Sequence, residues 1–203
     1  MPVTVTAPRG LSRLAAPVRA LVVAVMRAES RRVGEIAVVL ADDDLLHRIN
    51  AEWRGHDHAT DVISFAYDEH EPDAAVRPVT GDLLVSMDRV HVQAKRYRVT
   101  PGEELARLLV HGALHLCGHD HMRATERRVM RERENTLLAS ARGAVRAFTA
   151  VLGRTPVAPS RPRARVRAAA PPRRSQPARP RAASKRPAPR KAAPRRDAAR
   201  RAR

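Results

Sequence analysis

The sequence predicts an α+β domain with few strands, whose helices carry the functional site, followed by a disordered basic tail. Three observations lead there. Apolar residues recur at helical spacing through most of residues 11–151, with only three short β-rich runs among them. Large apolar residues then all but stop, Val157 and Val166 being the only ones in residues 154–203. A core can form from residues 1–153, a length that suits one domain, but not from residues 154–203.

Leu11, Leu14, Ala15, Val18, Leu21, Val22 and Val25 share a helical face, which predicts a first helix to about Ser30. Pro17 inside it marks either a kink or a later start. Residues 34–41 (G-E-I-A-V-V-L-A) read as a strand. Asp42, Asp43 and Asp44 supply an N-cap and a negative first turn for a helix running to about Trp53. Residues 62–66 and 82–86 are short strands, separated by an acidic loop with Pro72 and Pro78. Residues 88–98 are helical. Thr100-Pro101-Gly102-Glu103 then combines a cap, a proline in the first turn and an acid near the positive helix end. It opens a helix that ends near Gly118. Residues 124–151 are expected as one long last helix with a highly charged face.

The formal net charge of +18 is unevenly placed. Residues 154–203 hold 18 Lys or Arg and one acid, Asp197, a net +17, while residues 1–153 hold 21 basic and 20 acidic residues, a net +1. A segment of Arg, Pro and Ala cannot bury enough surface to offset its ordering entropy, so it is expected to be disordered and extended. Its charge gives it a nonspecific attraction to nucleic-acid phosphates. Composition drift in a GC-rich genome accounts for the same residues equally well. A single cysteine, Cys117, excludes an internal disulfide framework and fits a reducing cytoplasm. Residues 20–26, flanked by Arg19 and Arg27, do not form a signal peptide, and no stretch is long enough to span a bilayer. These features point to a cytoplasmic protein without a membrane partner.

Residues 111–121 read H-G-A-L-H-L-C-G-H-D-H. His111 and His115 are four apart, so on a helix they stack on one face, one turn above the other. Gly118 can end that helix in a left-handed turn, and the reversed chain brings His121 to the same ion. Three neutral imidazoles leave a tetrahedral Zn²⁺ with one open position, the arrangement of a catalytic rather than a structural site. With 9 histidines in the chain an isolated H-x-x-x-H is weak evidence; the added Gly118 and His121 make the pattern specific. Leu105, Leu109, Ala113 and Leu116 lie opposite the histidine edge, with Ala106, Val110 and Cys117 beside them, so that side is expected to be core. Zinc in such a site lowers the pKa of a bound water to about 7 and acts as a Lewis acid on a phosphoryl oxygen.

The same block, with N-A-E-W-R-G-H-D-H-A-T-D-V-I-S-F (residues 50–65) and G-D-L-L-V-S (residues 81–86), resembles the YbeY family of bacterial zinc-dependent endoribonucleases that mature ribosomal RNA. The resemblance runs from about Val33 to the end of the last helix. It implies a small mixed sheet packed against helices, a single domain similar to zinc metallopeptidase folds. It also implies one Zn²⁺ per chain held by His111, His115 and His121, and a functionally important Arg54. By resemblance the activity is single-strand-specific cleavage of rRNA at the 3′ end of the small-subunit 16S rRNA, with the small ribosomal subunit or an assembly protein as partner. The chain departs from the family at Ala66, where proline is common and only a turn is affected. The basic tail lies outside the family core, and His119 stands where Tyr or His is usual, so it is not counted as a ligand.

On residue chemistry alone, Arg54 reads more readily as an exposed helix-end arginine beside a glycine turn; the resemblance reverses that, because guanidinium bonds phosphate with two parallel donors. Asp61 caps a turn or orients a ligand, and the structural reading is favoured. Asp120 serves equally as an acceptor for a ligand imidazole or as a cap after Gly118. His56 and His58 read as surface histidines, with contact to RNA as the alternative, Cys117 as a small buried residue, and Trp53 as a core or groove anchor. Two other functions compete. A zinc peptidase shares the ligand frame, but such enzymes place a glutamate after the first histidine and this chain has Gly112. A non-catalytic, zinc-stabilised RNA-binding assembly factor is the alternative to the nuclease, and it would lose RNA binding together with residues 154–203.

Overall fold

Four strands form a mixed sheet in the order β1-β2-β4-β3: β1 (Val3–Thr6), β2 (Val33–Ala41), β3 (Val62–Ala66) and β4 (Val79–Ser86). β1, β2 and β4 are parallel, and β3 closes one edge antiparallel to β4. The computed structural model describes residues 2–67 and 77–153. Most of the acidic loop before β4, and the whole basic tail, lie outside the described residues.

Helices cover both faces. Alternation along β4 sends Leu83 and Val85 into the main core and Leu84 into a smaller one beneath α2 (Asp43–Arg54), where it meets Ala41, Leu46 and Ile63. The main core lies between the sheet and α1 (Ala15–Ala28), α4 (Pro101–Leu116), α5 (Ala124–Ser140) and α6 (Arg142–Leu152). α3 (Met87–Tyr97) follows β4 directly, its first turn capped by Ser86 Oγ. Asp42 caps α2, and Thr100 and Glu103 form a reciprocal capping box on α4, as the sequence predicts.

Three elements and one residue differ from the sequence reading. β1 is additional to the strands expected, and its V-T-V-T alternation buries Val3 and exposes Thr4 and Thr6 while pairing with residues 36–39 of β2. The first helix starts late: Ser12–Leu14 is a 3₁₀ turn, and Pro17 occupies the first turn of α1, where no amide donor is needed. The expected long last helix is two helices broken at Ala141 (ψ 11°). Continued straight it would reach about 42 Å; the break folds α6 back so that Phe148 and Leu152 enter the core. Trp53 anchors no core, being 50% exposed at the end of α2.

α4 is the central helix. Eleven of its sixteen residues are buried, including Leu108, Gly112 and Leu114, so the core surrounds it more fully than a single apolar face would allow. Two glycines permit this. A Cβ at Gly102 would collide with Thr149 of α6, and one at Gly112 would collide with Leu83 of β4 and press Val62 of β3.

Candidate metal centre

His111 and His115 project from α4 with their Nε2 atoms 3.2 Å apart. Two nitrogens at zinc-bonding distance from one tetrahedral ion stand about 3.3 Å apart, so this pair is already spaced for shared coordination. α4 ends at Leu116 in a Schellman turn: Gly118 has φ +93°, its amide donates to the His115 carbonyl, and the His119 amide donates to Leu114. The turn reverses the chain and returns His121 to the pair. One donor atom from each of the three histidines lies within 4.8 Å of the others, the only group of possible metal ligands among the described residues.

The surroundings fit a cation held by neutral imidazoles. Glu134 of α5 lies 2.5 Å from His111 Nδ1, which leaves Nε2 facing the cluster. Burial, then the neighbouring His111 and His121, push His115 down to about 4, so it is unprotonated at neutral pH and its lone pair is free to ligate. His121 Nδ1 is buried with no hydrogen-bond partner, a polar atom that only a ligand or a water would satisfy. Burial pushes the Glu134 carboxyl up, but the hydrogen bond from His111 and the charges of His111 and Arg107 outweigh it and hold the group below the usual range.

The returning loop is tied on both sides. His119 Nε2 lies 2.8 Å from Glu29 Oε2 at the end of α1, and Arg133 of α5 donates to the same carboxylate at 2.6 Å. His119 thus tethers the loop to α1 and lies outside the three-histidine group. Asp120 accepts from the His121 amide at 2.7 Å and so acts as a turn residue; the acceptor beside a cluster imidazole is Glu134, at His111. Arg127 Nε donates to the His121 carbonyl at 3.2 Å.

One turn before His111, Arg107 pairs with the buried Glu104 and donates to Gln93 Oε1. Asp61 accepts from Gln93 and from the Val62 amide, with Arg107 at 3.7 Å, so it locks the start of β3 against α3 and α4. Its role is structural. Arg54 is not gathered into the cluster. It ends α2 on the opposite face of the sheet from α4, exposed, before Gly55 (φ +71°), and bonds to no described residue. His56 and His58 are exposed in the loop after it. Cys117 packs its thiol 3.3 Å from Met26 Sδ, and burial pushes the thiol up to about 12.

Gly112 also bears on the peptidase alternative. The position after the first histidine sits against β4 with no space for a side chain, so the carboxylate base of that enzyme class is missing and its place is filled by Leu83.

Among known proteins, a family model for endoribonuclease YbeY matches residues 9–142, from ahead of α1 to the end of α5. Endoribonuclease YbeY of Chloroflexus aurantiacus is 43% identical over 121 residues, 57% of this chain and 79% of that protein. The Flavobacterium johnsoniae protein of the same name is 39% identical over 116 residues (57% and 79%), and that of Bacillus subtilis 42% over 110 (51% and 70%). The solution structure of TM1509 from Thermotoga maritima superposes with a TM-score of 0.52 over 71% of this chain and 92% of that one; at 24% identity it shows a shared fold. The match begins upstream of residue 33, where the motifs alone place its start, and it takes in the first helix, the whole histidine block and Glu134. The chain belongs to the endoribonuclease YbeY family.

Proposed function

We propose that this chain is a zinc-dependent, single-strand-specific endoribonuclease of the cytoplasm that matures the 3′ end of 16S rRNA, acting on the small ribosomal subunit or with an assembly protein. The observation that carries the reading is the convergence of His111, His115 and His121 in a chain of this family. One Zn²⁺ would be held by those residues; when bound it supplies Lewis acidity and lowers the pKa of a coordinated water. His111 offers Nε2 because Glu134 occupies its other nitrogen. His115 enters the site neutral. Arg54 supplies a guanidinium with no protein partner to displace among the described residues, suited to the non-bridging oxygens of a phosphodiester. No helix among the described residues is long and apolar enough to cross a membrane. The assembly-factor alternative is disfavoured because the family is one of nucleases.

The test is zinc content and cleavage measured on one sample of the full chain, with single-stranded and duplex RNA covering the 16S 3′ region. Near-stoichiometric zinc and chelator-sensitive cutting confined to single strands support the reading. Fully loaded protein that cuts neither naked RNA nor small subunits would overturn it. In the same assay Arg54→Ala is expected to keep its zinc and cleave poorly; unchanged turnover would remove Arg54 from the site.

A further inference from the structure

The charge of the domain is segregated around the metal loop. Residues 122–153 hold seven Arg and three Glu, a net +4, while residues 1–121 hold 14 Lys or Arg and 17 acids, a net −3. The arginines of α5 and its N-cap fall into two groups. Arg133 turns inward to Glu29, while Arg123 and Arg128 are paired with Glu126 and Glu132 nearby on the same helix. Arg127 and Arg131 are exposed and have no carboxylate partner among the described residues. Arg127 gives one donor to the His121 carbonyl, and Arg131 bonds to nothing described.

Their placement is specific. At about 100° per residue, Arg127 lies about 20° and Arg131 about 60° around α5 from Glu134, both on the side away from buried Met130. Glu134 points at His111. Arg127, bonded to the His121 carbonyl, therefore borders the histidine cluster, and Arg131 lies on the same side of α5 one helical turn and about 6 Å along the axis. Guanidinium groups without a carboxylate partner, one turn apart, offer forked donors to successive phosphates of an extended strand. The charge of this pair complements a polyanion.

We propose that Arg127 and Arg131 form a phosphate ledge that holds the RNA strand flanking the scissile bond against the metal centre. The ledge rests on the nuclease reading of that centre. It assigns substrate affinity within the folded domain to two residues on α5, separate from the basic tail.

The test compares the full-length parent, Arg131→Glu, Arg127→Ala/Arg131→Ala and, as a control, Arg13→Glu, an exposed residue ahead of the far end of α1 from His119. The readouts are zinc content, kcat and KM on a single-stranded oligoribonucleotide, and the salt dependence of binding. Arg131→Glu is expected to raise KM about five- to tenfold, more than it changes kcat. The log–log salt slope should become shallower by about 0.7 for each phosphate no longer neutralised. Zinc content should match the parent, and Arg13→Glu should leave KM where it was. If both α5 variants have the KM and salt slope of Arg13→Glu, the ledge is wrong. If the parent cuts no RNA, the nuclease reading fails separately; the ledge is then judged by binding of the same oligonucleotide, where weaker binding by Arg131→Glu supports it and parity overturns it.

Discussion

Glu134 decides which nitrogen His111 presents, and so makes a sharper prediction than the ligands themselves. Glu134→Ala is expected to weaken zinc binding about 10- to 100-fold, read by competition with a chromogenic chelator. Glu134→Gln, which can still accept from Nδ1–H, should recover part of that loss. Equal affinity in the two variants would mean that the carboxylate only packs. Removing a ligand is more drastic: His115→Ala should lose both zinc and cleavage while keeping its far-UV spectrum, and full activity in the metal-free variant would sink the mechanism. The three clustered histidines are legible in the sequence because they lie within eleven consecutive residues whose spacing matches a helix and a turn. Glu134 is not, because it lies 23 residues from His111 on another helix, and an acid on a charged helix carries no local mark. The core alternative for Trp53 fails for a related reason. A lone tryptophan usually seeks a core, but here the apolar face of α2 is already complete with Leu45, Leu46 and Ile49.

At the scale of elements, the legible signals are those written in adjacent residues. The cap of α4 is one. Hydrogen bonds from the Thr100 backbone and hydroxyl hold the Glu103 carboxyl below its ordinary 4.5. A depressed carboxylate binds fewer protons folded than unfolded, so its stabilisation is present above the ordinary value and is lost as pH falls through the folded one. Thr100→Ala should cost about 1 kcal/mol at neutral pH. The stability gap between the parent and Glu103→Gln, measured by urea unfolding, should narrow between pH 7 and pH 3; a gap independent of pH would mean that the charge plays no part in the cap. The features that escape a sequence reading depend on distant packing. Residues 124–151 mark the break at Ala141 only by Gly143 two residues on, a weak signal, since the break serves to return α6 to a core built around α4. Gly102 and Gly112 likewise gain their meaning from Thr149 and Leu83, residues far away in the chain. β1 shows its alternation in the sequence but is only four residues long, and its pairing with β2 gives it an order that its length alone does not.

For the whole molecule, the distribution of charge separates affinity from chemistry. The metal centre and its supports, Glu29, Arg133 and Glu134, all fall within residues 1–153, whose net charge is +1. Nearly all the remaining charge is in residues 154–203. The strength of sequence-independent RNA binding scales with the number of phosphates neutralised, and that number sets its salt dependence. Deleting residues 154–203 should therefore flatten the log–log salt dependence of RNA affinity while leaving zinc content and chelator-sensitive cleavage with the shortened chain. That outcome would make the tail a tether that raises the local concentration of RNA, with the proposed α5 arginines orienting it. Loss of zinc on truncation would show the opposite, that the tail supports the fold around the histidines. A salt slope unchanged by truncation would place the phosphate-binding groups on the domain alone, and the 18 basic residues of the tail would then contribute nothing to binding.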